Sequence, residues 1–435
     1  MTCYFAQYAL LPSGPARDVR FEVTDGRFTS VRAGVRAGRA QRLPGVVLPG
    51  LANTHSHAFH RALRGRTHDQ GGTFWTWRER MYHLAATLTP DSYLALARAT
   101  YLEMALAGIT SVGEFHYLHH DAGGARYADP NAMGHALIQA ARDAGIRLCL
   151  LDTAYFCGGL TPSGHTASNA VQQRFADASP DHWLARVRQL SGSSTVVIGA
   201  AIHSVRAVPR DALALIDNGG PRHVHLSEQP AENEACLGFY GLTPTQLLAS
   251  RDVLGPRTTV VHATHLTRPD IELLGSSGTH ACFCPTTERD LADGIGPAAA
   301  LAAAGSPLSL GSDQHAVIDP FEEARGLEMH ERLSTLSRGR FSPAALLDAL
   351  TAHASIGFPD AGALAEGYRA DLVAVRLDSV RTAGVAPDQV VLAATAADVA
   401  EVIADGRVLV HEGHHVFADP ARQLSDAITP LWRTA

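Results

Sequence analysis

The stretch VVLPGLANTHSH (46–57) decides the fold: an apolar, β-branched run that ends in two histidines and is the first of a series. ITSVGEFHY (109–117), IRLCLLDTAYF (146–156), TVVIGAAIHSV (195–205), RHVHLSE (222–228), TTVVHATHL (258–266), HACFCPTT (280–287) and PLSLGSDQH (307–315) continue it, making eight. Between them stand segments of helical period, such as PDSYLALARATYLEMALAG (90–108), PNAMGHALIQAARDAG (130–145), TPTQLLASRDVLG (243–255) and GPAAALAAAG (296–305). Each closes on the glycine expected just past a helix end. Eight apolar strands alternating with helices predict an α/β fold, a (β/α)8 TIM-like barrel over residues 49–361. The longest insert, 58–88, follows the first strand and is expected as a loop on the catalytic face.

The chain ends read differently. VRFEVTDG (19–26) and RFTSVRAG (27–34) alternate like antiparallel strands, and short strands return in RADLVAVRL (369–377), DVAEVIADGRVLV (398–410) and HHVFAD (414–419). Neither end buries a core alone, so residues 1–48 and 362–425 are expected to combine into one small β-sandwich.

Composition narrows the function. The 435 residues carry 36 cationic and 43 acidic side chains, a net charge of −7, without a basic run that would attract nucleic acid or an anionic membrane. All 36 cations are arginine. A chain without lysine has no Walker phosphate loop, kinase lysine, Schiff-base or pyridoxal-phosphate amine, and no carbamylated lysine to bridge two metals. Six cysteines without CxxC spacing point to a reducing compartment. With neither a signal peptide nor a run of about 18 apolar residues, the expectation is a cytoplasmic protein. A homodimer is expected from the prevalence of two-fold oligomers.

Histidine, with 23 copies, is the informative residue, although chance alone supplies roughly one HxH pair at this content. Position says more than spacing. His55 and His57 close the first strand with both side chains on one face. His225 ends the fifth strand, three residues before Glu228. His262 and His265 on the sixth point to opposite faces, so one of them enters the barrel. Asp313 closes the eighth after Gly311 and Ser312, small residues that permit close backbone approach. Three imidazoles and one aspartate on one rim suit one divalent cation per chain with a position left for water, Zn2+ first and Fe2+ or Mn2+ as alternatives. Cys282 and Cys284 read as strand packing.

LPGLANTHSH (48–57) with the later HLSE, HATH and GSD resembles the amidohydrolase superfamily over essentially the whole chain. More narrowly, HSHAFHRALRG (55–65), FWTWRERMY (74–82), EFHYLHHD (114–121) and IHSVRAV (202–208) resemble the formimidoylglutamate deiminases of histidine degradation. The resemblance implies His55, His57, His225 and Asp313 around the metal, with Asp313, Glu228 and His262 acting on water and substrate, which selects His262 over His265. It further implies Arg206, His203, Arg78 and Tyr117 as substrate contacts, and guanidinium forks suit a dicarboxylate. His60 stands where the family usually has glutamine, a departure that touches substrate preference. The expected reaction is hydrolytic deamination of N-formimidoyl-L-glutamate, a small dicarboxylate amidine, to N-formyl-L-glutamate and ammonia. Two alternatives remain: a deaminase of a purine or pyrimidine base, which needs a stacking pocket instead of paired arginines, and a metal-less barrel serving binding or assembly.

Overall fold

The structure, a computed structural model, describes residues 1–67 and 72–433. All eight runs contain strands, each shorter than its run: β1 (Leu51–Ser56), β2 (Ile109–His116), β3 (Arg147–Ala154), β4 (Val196–Ile202), β5 (Arg222–Leu226), β6 (Thr258–His262), β7 (His280–Phe283) and β8 (Leu308–Leu310). They lie parallel in that spatial order. The ring closes between β8 and β1 through one bridge, Ser56 opposite Asp313. There His57 N–H donates to Asp313 O at 3.1 Å and Asp313 N–H donates to His55 O at 3.0 Å. A Cβ on Gly311 would stand 2.7 Å from His55 O, so the seam closes only around glycine.

The run 46–57 is two strands, not one. Gln41–Pro49 belongs to a second sheet, and the chain crosses into the barrel at Gly50, where a Cβ would meet Thr110 Oγ1 at 2.4 Å. The second sheet joins both chain ends in eight strands: His414–His415, Arg407–His411, Val399–Ala404, Leu372–Val375, Gln41–Pro49, Thr2–Leu11, Gly14–Thr24 and Arg27–Arg32, in that order. Only Thr2–Leu11 and Gln41–Pro49 pair in parallel. Asp25-Gly26 and Asp405-Gly406 make two of its hairpin turns with positive φ at both positions, as two-residue turns of this kind require. Arg147, at the start of β3, ties the two sheets together: its guanidinium meets Asp371 and, at 3.0 Å, Asp405.

The helices explain themselves locally. Pro90–Leu106 starts at a Thr89/Ser92 capping box, and Ala132–Ala144 and Ala298–Ala304 stop at Gly145 and Gly305, both left-handed. The 58–88 insert is largely helical, contrary to the expected loop. It holds a 3-10 helix, Ala58–Leu63, and an α-helix, Phe74–Thr87, which buries Phe74, Trp77, Met81, Leu84 and Ala85 along one face. Residues 68–71 of the insert lie outside the described residues.

Candidate active site

Alternation along β1 sends His55 and His57 into the barrel and Ser56 outward. His225 joins them from β5 and Asp313 from the turn after β8, and one ligand atom from each of the four lies within 4.8 Å of the others. His225 Nε2 stands 3.1 Å from His55 Nε2. Asp313 Oδ1 stands 3.4 Å from His55 Nε2 and 3.3 Å from His57 Nε2. Ligands of a tetrahedral cation with bonds near 2.0–2.1 Å stand about 3.3 Å apart, so these spacings fit such an ion. The ring chemistry fits as well. His57 Nδ1 donates to Phe115 O and His225 Nδ1 to His203 O, each at 2.9 Å, which leaves both Nε2 lone pairs bare and facing each other's neighbours. Burial lowers the pKa of all three imidazoles, His57 to about 3, so they are neutral donors. Burial opposes ionisation of Asp313, yet the His55 ring, then His262 and His57, hold it well below the usual carboxylate range.

Beside this quartet lies a buried group of ionisable side chains. His262 Nε2 is 3.7 Å from Glu228 Oε1 and 3.9 Å from Asp313 Oδ2, while its Nδ1 is 3.5 Å from Glu288 Oε1. Burial lowers the His262 pKa, but Glu228, Glu288 and Asp313 outweigh it and raise the value well above that of free imidazole. Burial raises Glu228, partly offset by His262 and Arg206. Ser227, His262, Ala263, Asp313 and His315 all adopt positive φ without being glycine. Such strain, concentrated where the strands end, marks a place that the surrounding fold over-determines. His265 turns away and donates its Nε2–H to Asp293 O at 2.8 Å.

Above the quartet opens a cavity of about 290 Å³ whose lining includes His60, Arg78, Tyr117, His203 and Arg206. All five substrate candidates therefore share one chamber with His57, His225 and Asp313. His60 Nε2 and Tyr117 Oη are 2.8 Å apart. Burial keeps His60 and His203 neutral, their pKa values held well below 6.5. The two arginines differ. Arg206 Nε donates to Glu232 Oε2 at 3.0 Å and its Nη2 lies 3.6 Å from Glu228 Oε2. Arg78 lies over the rings of Trp75 and Tyr82, at 4.4 and 5.5 Å, and pairs with no carboxylate among the described residues. Phe74 and Trp77 are buried against the cavity, while Trp75 is partly exposed.

Sequence reasoning missed Glu288 and Glu232, which orient His262 and Arg206. Their only signal is position, a carboxylate soon after β7 and another four residues beyond Glu228. It also missed the hairpin Gly159–Thr161/Gly164–Thr166, which lines the cavity. Cys284 comes near His262 and Asp313, but burial raises its thiol pKa well above the usual value, so it stays protonated. A second buried cluster, His116, His119 and Asp152, has metal-like spacing and a different chemistry. Asp152 already accepts Arg186 Nη1 and Nη2 at 2.7 and 2.8 Å and Trp183 Nε1 at 3.1 Å, so a guanidinium supplies the positive charge there.

A (β/α)8 barrel that gathers three imidazoles and an aspartate on one rim, beside a buried Glu–His pair, defines a metal-assisted hydrolase. Residues 46–409 match the amidohydrolase family, and residues 1–45 match the N-terminal domain of the formimidoylglutamate deiminase HutF. The formimidoylglutamate deiminase of Pseudomonas aeruginosa is 38% identical over 438 residues, 95% of this chain and 96% of that one. An 8-oxoguanine deaminase of the same organism is 31% identical over 78% of this chain and 76% of its own. Among solved structures, an amidohydrolase from Brucella melitensis superposes with a TM-score of 0.92 at 33% identity, covering 99% of this chain and all of that one. A zinc-bound adenosine deaminase from Xanthomonas campestris shares the fold, with a TM-score of 0.84 at 22% identity over 100% and 99% of the two chains. The chain belongs to the amidohydrolase family and, within it, to the formimidoylglutamate deiminases. The family is metal-dependent, and no helix among the described residues is long and apolar enough to cross a membrane.

Proposed function

We propose that this chain hydrolyses N-formimidoyl-L-glutamate to N-formyl-L-glutamate and ammonia in histidine degradation, using one zinc ion held by His55, His57, His225 and Asp313. The observation that carries the reading is one cavity lined by two guanidiniums, Arg78 and Arg206, above a quartet spaced for a tetrahedral cation. A substrate with two carboxylates and a cationic amidine matches both ends of it.

A divalent cation bound to the quartet supplies Lewis acidity that lowers the pKa of water toward neutrality. Asp313 orients the attacking water. Glu228, buried and with its pKa raised, takes the proton that water loses as its oxygen bonds to the formimidoyl carbon. The same carboxyl then hands that proton to the terminal nitrogen, the carbon–nitrogen bond breaks and ammonia leaves, while the remaining hydroxyl proton passes to Asp313 as the carbonyl forms and departs with ammonia as ammonium. His262, oriented by Glu288, holds the developing oxygen charge. Arg78, Arg206, His203, Tyr117 and His60 grip the glutamate portion.

In this reading each chain of a cytoplasmic homodimer comprises two domains, the barrel (49–361) and the composite sheet (1–48 with 362–425), the dimer resting on the prevalence of two-fold oligomers. Light scattering tests the dimer. The function is tested by measuring ammonia release from formimidoylglutamate, guanine and cytosine side by side, with formylglutamate distinguished from glutamate as product. Turnover of a base with formimidoylglutamate left intact would overturn it.

A further inference from the structure

The side of β1 turned away from the cavity carries a chain of buried polar groups that the reaction above does not use. Its direction can be assigned from one end to the other. Ser312 N–H donates to Asn53 Oδ1 at 2.9 Å, which fixes the amide, so Asn53 Nδ2–H donates to Ser312 Oγ at 2.7 Å. The Ser312 hydroxyl proton is then free for His315 Nδ1, 2.9 Å away. An imidazole that accepts at Nδ1 carries its proton on Nε2, and His315 Nε2 lies 3.2 Å from Ser56 Oγ. Ser56 Oγ–H donates to Glu114 Oε2 at 2.6 Å, and Ala58 N–H donates to Glu114 Oε1 at 2.7 Å. All five side chains are buried, and each link gives its donor one acceptor.

The placement of this chain gives it a purpose. Ser56 separates His55 from His57, and Ser312 and His315 flank Asp313. Outside the barrel the chain therefore spans the seam whose inner side presents three of the four quartet residues. That seam needs support: β8 has three residues, closure rests on a single bridge, and Asp313 and His315 sit at φ +42° and +59°. We propose that Glu114, Ser56, His315, Ser312 and Asn53 are positioning residues that hold Asp313 in register with His55 and His57 before any cation arrives, and so set metal affinity. This rests on the ligand set proposed above.

Zinc affinity and zinc release into a chelator, measured on the purified full chain, test it. In Glu114→Gln the amide oxygen must stay on Ala58 N–H, so its NH2 faces Ser56 Oγ, and the Ser56 hydroxyl loses the carboxylate that accepts its proton. The expected result is zinc binding weakened about 10–100-fold, the usual effect of losing support behind a metal ligand, with correspondingly faster release. Unchanged affinity and release would overturn the proposal, and so would a lowered Tm of the zinc-free protein with affinity intact, because that outcome belongs to a merely structural network. Should Glu114→Gln fail to fold, Ser312→Ala removes a single hydroxyl link and must still weaken zinc binding measurably. His225→Ala separates the two readings: tight, stoichiometric zinc in that variant would refute the ligand set itself, whatever Glu114 does.

Discussion

Replacing Arg78 and Arg206 in turn by methionine discriminates a residue that only holds substrate from one that also belongs to the catalytic charge network. Arg78 lies on Trp75 and Tyr82 without a carboxylate partner among the described residues, so its removal leaves no buried charge uncompensated. What is lost, on the proposed function, is one guanidinium–carboxylate fork to the substrate. Two charge-assisted hydrogen bonds at the weak end of their range contribute about 3 kcal/mol. At about 1.4 kcal/mol per tenfold, kcat/KM falls roughly 100-fold, through KM with kcat nearly kept. Arg206 is different because Glu232 lies 3.0 Å from it and Glu228 3.6 Å. Arg206→Met leaves a buried Glu232 without its counter-ion, a loss of about 3–5 kcal/mol in stability. It also removes a charge that restrains the Glu228 pKa, so kcat falls along with Tm. Steady-state kinetics of ammonia release at saturating zinc, with melting curves of both variants, decide the matter. An unchanged KM in Arg78→Met, or the same KM-only profile in both variants, would refute the reasoning.

Glu228→Gln should lower kcat by about 10²–10⁴-fold, the usual contribution of a positioned acid–base group, while zinc content measured by elemental analysis stays at the wild-type level; full turnover would remove Glu228 from the mechanism. Asp293 has its carboxyl pKa raised to about 9, by burial first and then by Glu228. The folded chain therefore holds a proton that the unfolded chain loses near pH 4, and this contribution to stability is full at low pH and lost as pH rises through about 9. Asp293→Asn should melt progressively higher than wild type across that window, and a difference in Tm that does not change between pH 5 and 9 would contradict it. Arg147→Met should cost about 3–5 kcal/mol by stranding buried Asp371 between the barrel and the end sheet, read as a fall in the denaturation midpoint; a change below about 1 kcal/mol would mean that water already reaches the pair.

The barrel was legible because its information is periodic: apolar β-rich runs and helical segments alternate eight times, and period 2 alone sends His55 and His57 to one side. The crossing at Gly50 was not, since an apolar run looks the same whether it stays in one sheet or passes from one to another. What breaks it is the close approach of Thr110 and Asp371, residues far along the chain. The insert 58–88 hid its helix for a related reason. Phe74, Trp77, Met81 and Leu84 repeat at helical spacing, but aromatics beside arginines also suit a loop, and only burial against the cavity selects the helix. Strand-end residues such as His225 and Asp313 say little singly and could be found because several strands end in metal-type side chains on the same rim. Glu288 and Glu232 act only through a second residue, so their meaning exists in a distance, 3.5 Å to His262 and 3.0 Å to Arg206. Pairs of this kind join segments that follow different strands, β6 with β7 and β4 with β5, and local patterning has no term for them. The Ser56–Glu114 chain is the extreme case: its members read singly as ordinary core polar residues, and they acquire direction only when every donor on the seam is matched to its acceptor.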